Sequence, residues 1–203
     1  MAKRSAPEVN AGSMADIAFL LLIFFLVTTT IEKDSGINRK LPPMEEIDPP
    51  IIKQKNIFTV LLNGKDQLLV EEELMDIVDL RDAAVEFLDN NGDGSCDYCL
   101  GKKDSSSSDN PDKAIISLKN DRETEYKVYI AVQNELVAAY NVLRNREFAR
   151  LYPNEALTYV EADLRYSDPR TSADDKSSLK EKLDVIKALY PQKLSEAEPS
   201  KVN

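Results

Sequence analysis

Hydrophobic residues follow two different patterns along the chain. Residues 14–31 are apolar almost throughout, with Asp16 as their single charged side chain and three threonines near their end. After residue 56, apolar positions alternate or recur every three to four residues, which is typical of strands and amphipathic helices. Residues 32–56 separate these regions with scattered charges and two Pro-Pro pairs, which favour an extended path. The pattern predicts a membrane segment, a linker and a globular domain.

The apolar segment is long enough to cross a membrane as a helix. Its 18 residues would extend roughly 27 Å, close to the roughly 30 Å thickness of the hydrocarbon core. A signal peptide is one alternative because Lys3 and Arg4 give a basic start, but no A-x-A-like cleavage site follows. A buried helix of a soluble protein is another, yet residues 20–27 are apolar on every face. These features favour a retained single span.

Asp16 lies near the start of this segment and has two interpretations. It could be solvated at the membrane surface, where a carboxylate favours a helix N-terminus. Alternatively, it lies inside the hydrocarbon, where an ionised aspartate costs about 2.5 to 3.5 kcal/mol and is by default a functional-site candidate. Helical spacing places it on the same face as Phe19, Ile23 and Val27. An acid on such a face could bind and release a proton beside partner helices.

The periodic region predicts a small two-layer α/β domain. In chain order the predicted elements are a hairpin (57–62 and 67–71, turning at Asn63-Gly64), a helix from Leu74 to about Asn90, a strand (113–118), a helix from a cap at Asp121 to about Leu151, a helix (177–189) and an edge strand within residues 192–198. Two stretches, about 91–112 and about 152–176, carry no predicted element. The first of them is an insert between a helix and a strand.

Composition narrows the possible functions of the chain. It has 36 acidic and 26 basic residues, a net charge of −10, which argues against nucleic acid as a partner. It contains no histidine, so Ser-His-Asp and Cys-His catalytic arrangements are impossible. No GxGxxG, GxxxxGK[ST] or HExxH motif occurs. We therefore do not expect an enzyme.

The insert begins with a partial calcium-binding motif. Asp89, Asn91, Asp93 and Asp97 stand at positions one, three, five and nine of a calcium loop, and a glycine occupies position six. Leu100 occupies position twelve, where a bidentate glutamate is needed. The alternative is a polar turn, since Asn and Gly commonly end helices. Calcium is thus a possible ligand, and no cofactor is required.

The cysteines and serines of the insert favour a structural role over metal binding or redox catalysis. In an oxidising compartment Cys96 and Cys99 would close a local disulfide that fixes the loop. Structural zinc would need further ligands, and a thioredoxin-like redox role would need its own fold context. The four serines of residues 105–108 predict a flexible linker.

The N-terminal residues resemble the signature of the ExbD/TolR family of biopolymer transport proteins. Glu8, Val9 and Asn10 are similar to the E-[IV]-N element that stands eight residues before a single membrane aspartate in that family. Asp16 then occupies the place of the family's proton-carrying aspartate. Ser13 departs from the pattern, since many members have proline just before the aspartate's turn.

The resemblance extends to the end of the span and to the domain. Thr28 or Thr29 is similar to the polar end of the family's span, and together with Asn10 would support the membrane face. The order of elements, including the Asn-Gly-Lys turn, resembles the family's periplasmic domain. The resemblance implies a pentameric polytopic partner of the ExbB/TolQ type, a TonB-like client protein and a homodimer of this chain.

The implied organisation is a cytoplasmic arm (1–13), a transmembrane helix (14–31), a Pro-rich periplasmic linker (32–56) and a periplasmic α/β domain (57–203). Basic residues flank the span on both sides, so orientation rests on the short arm and the large acidic C-terminal part, which favour a cytoplasmic N-terminus. The implied function is a subunit of an inner-membrane motor that uses proton flow past Asp16 to energise TonB-dependent transport. Alternatives are a TolR-like role in envelope maintenance and a periplasmic binding module on an inert membrane tether.

Overall fold

The computed structural model describes residues 11–28 and 52–197. The chain divides into two units, Met1–Asp48 and Pro49–Asn203. The first unit contains one described helix and the second contains the α/β domain. Residues 1–10 of the predicted arm, 29–31 of the predicted span and 32–51 of the predicted linker lie outside the described residues.

The first unit contains helix α1, Ala11–Thr28. Its large apolar side chains are exposed wherever they are described, with fractions between 39% at Ile23 and 64% at Leu22. The helix begins three residues before the predicted span. Within the described residues, no helix combines the length and the apolar character that crossing a membrane requires.

The second unit is built on one mixed sheet of five strands in the order β3-β2-β1-β4-β5. The strands are β1 (Ile57–Leu62), β2 (Leu68–Val70), β3 (Glu73–Met75), β4 (Ile115–Asn120) and β5 (Leu194–Ala197). β1 pairs antiparallel with β2 and parallel with β4, and β4 pairs parallel with β5. The alternating burial of β1 places Phe58, Val60 and Leu62 on the face that the helices cover.

Helices pack on that face of the sheet and complete a two-layer domain. The described α-helices of this unit are α2 (Ile77–Leu88), α3 (Tyr126–Leu151), α4 (Tyr159–Ser167) and α5 (Ala173–Leu189), and a short 3-10 helix, Gln54–Asn56, precedes β1. The main core joins the sheet to α2 and α3 through side chains such as Leu80, Leu136 and Tyr140. A smaller core joins the end of α3 to α4 and α5 around Phe148 and Leu183.

The structure confirms the mixed α/β class and corrects several elements. Leu74 was predicted in a helix but lies in β3, and α2 begins only after Asp76. Helix α3 begins after Glu125 instead of near Asp121, and α5 begins four residues earlier than predicted. The stretch 152–176 is not irregular, since it contains α4.

The predicted Asn63-Gly64 turn is also different in detail. Residues 63–67 form a longer loop, in which the Asn63 side-chain oxygen accepts hydrogen bonds from the backbone N–H groups of Lys65 and Gln67. Asp66 has φ 59°, so the left-handed position falls there and not on the glycine. Asp66 in turn accepts a hydrogen bond from the Glu125 backbone N–H, which ties the hairpin to the start of α3.

Candidate functional site

Asp16 is the only charged side chain of α1 and lies in the second turn of the helix. Its side chain is exposed, as are the apolar side chains that follow it up to Phe25. Thr28 is the last residue of the helix, while Asn10 and Thr29 lie outside the described residues. Of the predicted membrane-face residues, the structure therefore describes Asp16, in the second turn, and Thr28, at the C-terminal end of the same helix.

The predicted calcium residue Asp89 is bound by an arginine. It follows α2, and its two carboxylate oxygens accept hydrogen bonds from Arg146 Nη1 and Nη2 at 2.6 and 2.8 Å. The Tyr190 hydroxyl donates to the same carboxylate at 2.6 Å. Burial and the Asp89 hydrogen bond raise the pKa of Tyr190 above its usual value, which keeps the phenol protonated as a donor.

The remaining predicted calcium residues point to other partners. The Asn91 side chain binds the backbone N–H and carbonyl of Cys96, and Asp97 is exposed. Asp93 accepts hydrogen bonds from Ser95, and at 2.9 Å from Lys113, so the pKa of Asp93 is well below its usual value. Over residues 11–28 and 52–197, no group of three or more carboxylates or cysteines is arranged to hold a metal ion. Calcium binding stays a prediction that this arrangement does not support.

The insert is held in a fixed shape by buried amide side chains and a disulfide. Cys96 and Cys99 are bonded to each other, and both are buried. The Asn90 side chain donates to the carbonyls of Asp104 and Ser108 at 2.8 Å. Of the serine stretch that was predicted to be a flexible linker, Ser108 is fully buried, while Ser105 and Ser106 are exposed.

The disulfide positions Tyr98 against the end of α5. The Tyr98 hydroxyl donates to the Leu189 carbonyl at 2.8 Å, and its ring packs edge-on against Tyr190 with centroids 5.5 Å apart. The Tyr98 carbonyl accepts from Arg146 at 3.2 Å. The insert is therefore joined to α3 and α5 through one tyrosine.

The second anchor of the insert is Asp109, which the sequence did not single out. Its carboxylate is almost fully buried and lies 2.5 Å from Lys55 Nζ and 3.2 Å from Lys53 Nζ. The Asn56 side chain donates to it and accepts from its backbone N–H. These partners, Lys55 foremost, lower the pKa of Asp109 from 3.8 to about 2. The insert thereby fixes the residues that lead into β1.

A buried arginine connects the main core to the smaller one. Arg144 Nε and Nη2 donate to the Tyr190 carbonyl at 3.0 and 2.7 Å, and the guanidinium lies 5.5 Å from the ring centres of Tyr140 and Tyr159. A cation at a helix C-terminus is favourable because the last carbonyls carry partial negative charge. Glu147, one turn further, is buried and paired with Arg146 and Arg150.

A groove of about 450 Å³ lies between the hairpin edge and the start of α3. Its lining is mostly apolar and includes Leu68, Met75, Ile77 and Val128. Leu74, at its rim, is 70% exposed although it is a large apolar residue. A mostly apolar groove with a few polar groups, here Asp66, Asp76 and Lys127, is the usual form of a binding site for an apolar group.

Comparison with known families identifies the class of protein. The described chain consists of an exposed apolar helix with one acid and a two-layer α/β domain. The sequence profile described as "Biopolymer transport protein ExbD/TolR" matches residues 2–145, more than two thirds of the chain. The chain belongs to the ExbD/TolR family. No curated protein matches it.

Family membership carries general consequences. Members are inner-membrane-anchored subunits of biopolymer transport that associate with ExbB/TolQ-type and TonB/TolA-type partners. The matched region includes α1 and most of the sheet but ends one residue before Arg146. The end of α3, α4, α5 and β5 lie beyond it.

Proposed function

We propose that this chain is the aspartate-bearing subunit of an ExbB-ExbD type motor in the inner membrane. In this proposal Asp16 binds and releases the proton whose passage drives the motor. The observation that carries the proposal is that Asp16 is the single charged residue of α1 and lies within the region that the family profile matches. The chain would carry out transport and not catalysis, since it has no histidine and no matched catalytic motif.

The surroundings of Asp16 support a role at a contact between helices. An ionised carboxylate inside a hydrocarbon environment is costly, so it persists where a partner helix or water can solvate it. The side chains of Phe19 and Ile23 lie on the same helical face and are exposed in the isolated unit. That face suits a polytopic partner of the ExbB/TolQ type, which would supply polar groups opposite Asp16.

We place the span at residues 14–31, which reaches beyond the described end of α1. The N-terminal arm would be cytoplasmic and the α/β domain periplasmic. A Cys96–Cys99 disulfide suits this placement, because disulfides persist in oxidising compartments such as the periplasm and are rare in the cytosol. The domain would then act on a TonB-like client, with two copies of the chain in each motor.

An Asp16→Asn variant tests the proposal. Asparagine keeps the shape of the side chain and removes the exchangeable charge, so we expect energised uptake to fall to the level of a deletion strain. Membrane insertion and co-purification with the polytopic partner should be unchanged. Asp34→Asn is the matched control, since it makes the same chemical change outside the span and should retain full uptake. Uptake at the wild-type level in Asp16→Asn would rule out a proton-carrying role.

The groove beside β3 favours a second candidate function, a binding module on an inert tether. Exposed Leu74 at the rim of an apolar groove is the observation behind it. Two variants distinguish the two functions. A binding module on an inert tether keeps its activity in Asp16→Asn and loses it in Leu74→Asp. A motor subunit loses its activity in Asp16→Asn. A TolR-like role is distinguished by the proteins that co-purify, TolQ-like and TolA-like instead of ExbB-like and TonB-like.

A further inference from the structure

The insert holds the corner between α5 and β5 at two points. At the first point the Tyr98 hydroxyl donates to the carbonyl of Leu189, the last residue of α5. At the second point Lys193 Nζ donates to the carbonyl of Asp112 and lies 3.1 Å from one of its carboxylate oxygens. Lys193 immediately precedes β5, and its carbonyl accepts from the Ile116 N–H of β4 at 2.9 Å. Both contacts lie on the short connection that delivers β5 to the sheet.

The disulfide encloses Tyr98, the residue that makes the first of these two contacts. Its loop, residues 96–99, contains Tyr98 between the two cysteines, and Cys99 Sγ is 3.9 Å from the Tyr190 hydroxyl. Both cysteines are buried, with exposed fractions of 8% and 7%. The bond therefore restricts the backbone on both sides of Tyr98, at the place where the insert meets α5.

β5 depends on these contacts more than β1 and β4 do. It is four residues long and, among the strands of the described residues, it lies at the edge of the sheet and pairs with β4 alone. A short edge strand contributes few hydrogen bonds of its own, so its local opening depends on what fixes its ends and on Glu196, which accepts hydrogen bonds from Tyr129 and Gln133 of α3. One end of β5 is fixed by the corner that the insert holds.

We propose that the Cys96–Cys99 pair is a reversible thiol–disulfide modification site that controls how firmly β5 is held on the sheet. In the oxidised chain the closed loop keeps Tyr98 on Leu189 and Tyr190. A dithiol reductant transfers two electrons and two protons to the bond, which breaks it into two thiols while the dithiol becomes a cyclic disulfide. The loop then gains backbone freedom, Tyr98 leaves the corner, and β5 opens without unfolding of β1 and β2. This inference stands independently of the role of Asp16.

Hydrogen exchange on the full-length chain in mild detergent tests this. Exchange is followed by mass spectrometry in the oxidised chain and after treatment with dithiothreitol, and free thiols are counted by alkylation. We expect amides of residues 189–197 to exchange at least tenfold faster after reduction, while amides of β1 change less than twofold. Equal exchange of residues 189–197 in both states would overturn the proposal. Faster exchange throughout the domain would also overturn it, because the bond would then stabilise the whole fold.

Two variants separate the bond from the contact that it positions. A Cys96→Ser/Cys99→Ser chain should match the reduced wild type and no longer respond to dithiothreitol. Tyr98→Phe keeps the disulfide and removes the hydroxyl that donates to Leu189, so it should raise exchange at 189–197 severalfold in the oxidised chain. If Tyr98→Phe exchanges like wild type, the proposed coupling through Tyr98 is wrong. This second variant keeps the test decisive even if the double variant fails to fold.

Discussion

Arg146 binds both carboxylate oxygens of Asp89 through two guanidinium nitrogens, at 2.6 and 2.8 Å. The Asp89 side chain is 7% exposed and the Arg146 side chain 29%. The pair joins the residue that follows α2 to the last third of α3, and the insert begins directly after it. It therefore fixes the place where the insert leaves the end of α2.

Removing the arginine should leave the Asp89 carboxylate buried without its cation. We expect Arg146→Met to lower the free energy of unfolding by about 3 kcal/mol, because breaking a buried ion pair from one side leaves an uncompensated charge. Urea denaturation of the full-length chain, followed by near-ultraviolet circular dichroism, measures the change.

Arg146→Lys is the matched control for charge alone. Lysine keeps the cation but cannot donate in the two-pronged geometry, so we expect a loss between that of Arg146→Met and wild type. An Asp89→Asn/Arg146→Met double variant should be more stable than the sum of the single losses predicts. An Arg146→Met chain that unfolds at the wild-type urea concentration would contradict this account of the pair.

The elements that the sequence predicted correctly have strong local patterns. β1 and the start of β2 alternate cleanly between apolar and half-buried positions, and β5 follows a Tyr-Pro pair that ends a helix. β3 was missed because three residues are too few to establish alternation, and Leu74 also fits a helical period. α4 was missed although Thr158 and Glu161 form a capping box, a signal that is visible in the sequence.

The sequence singles out Asp16 because it is a lone acid in an apolar run, and its role as a functional residue stays a prediction. The calcium prediction rests on the spacing of Asp89, Asn91, Asp93 and Asp97 alone, and the structure gives two acidic side chains at the ends of the insert partners that are distant in sequence. Arg146 is 57 residues from Asp89, and Lys53 is 56 residues from Asp109. Pairings at such separations are set by the tertiary fold, and one sequence does not reveal them.

Asp109 makes the stability of the domain depend on pH in the acid range. Its pKa is lowered from 3.8 to about 2, with the Lys55 hydrogen bond as the main cause. A carboxyl group with a lowered folded-state pKa stabilises the fold above its ordinary pKa, and this contribution is lost as pH falls through about 2. The shift corresponds to about 2 kcal/mol at neutral pH.

We therefore expect Asp109→Asn to lower the melting temperature at pH 7 and to flatten its decline between about pH 4 and pH 2. Thermal denaturation of both chains across this range measures the difference. Asp97→Asn is the control, since it makes the same change at an exposed acid of the same insert and should melt like wild type. If the melting temperature of Asp109→Asn falls as steeply as that of wild type over this pH range, the fall must come from other titrating groups.

The β2–β3 turn is strained, and relieving the strain should stabilise the domain. Glu71 and Glu72 form its two central residues with φ of 50° and 72°, a region that glycine and asparagine adopt at less cost than glutamate. Glu71 accepts a hydrogen bond from the Thr59 N–H, so Glu72 is the residue to change. We expect Glu72→Asn to raise the free energy of unfolding by about 0.5 to 1 kcal/mol. Glu73→Asn, in the adjoining strand, should lower it, and the same sign for both would disprove turn strain as the cause.

The closest backbone approach in the insert should make Gly101 intolerant of any side chain. A Cβ on Gly101 would lie within 2.6 Å of Asn90 Cα and closer still to the Asp89 carbonyl, and backbone atoms cannot rotate away. We expect Gly101→Ala to lower the free energy of unfolding by about 2 to 3 kcal/mol, because the insert must then move away from the end of α2.

Gly94 provides the contrast: it has φ +70°, and a Cβ added there would meet no atom within 4 Å. Gly94→Asn should therefore cost under about 0.5 kcal/mol, since asparagine tolerates this conformation. Urea denaturation of the two variants shows which one loses more free energy of unfolding. Equal losses in Gly101→Ala and Gly94→Asn would mean that the insert does not pack against Asp89 as described.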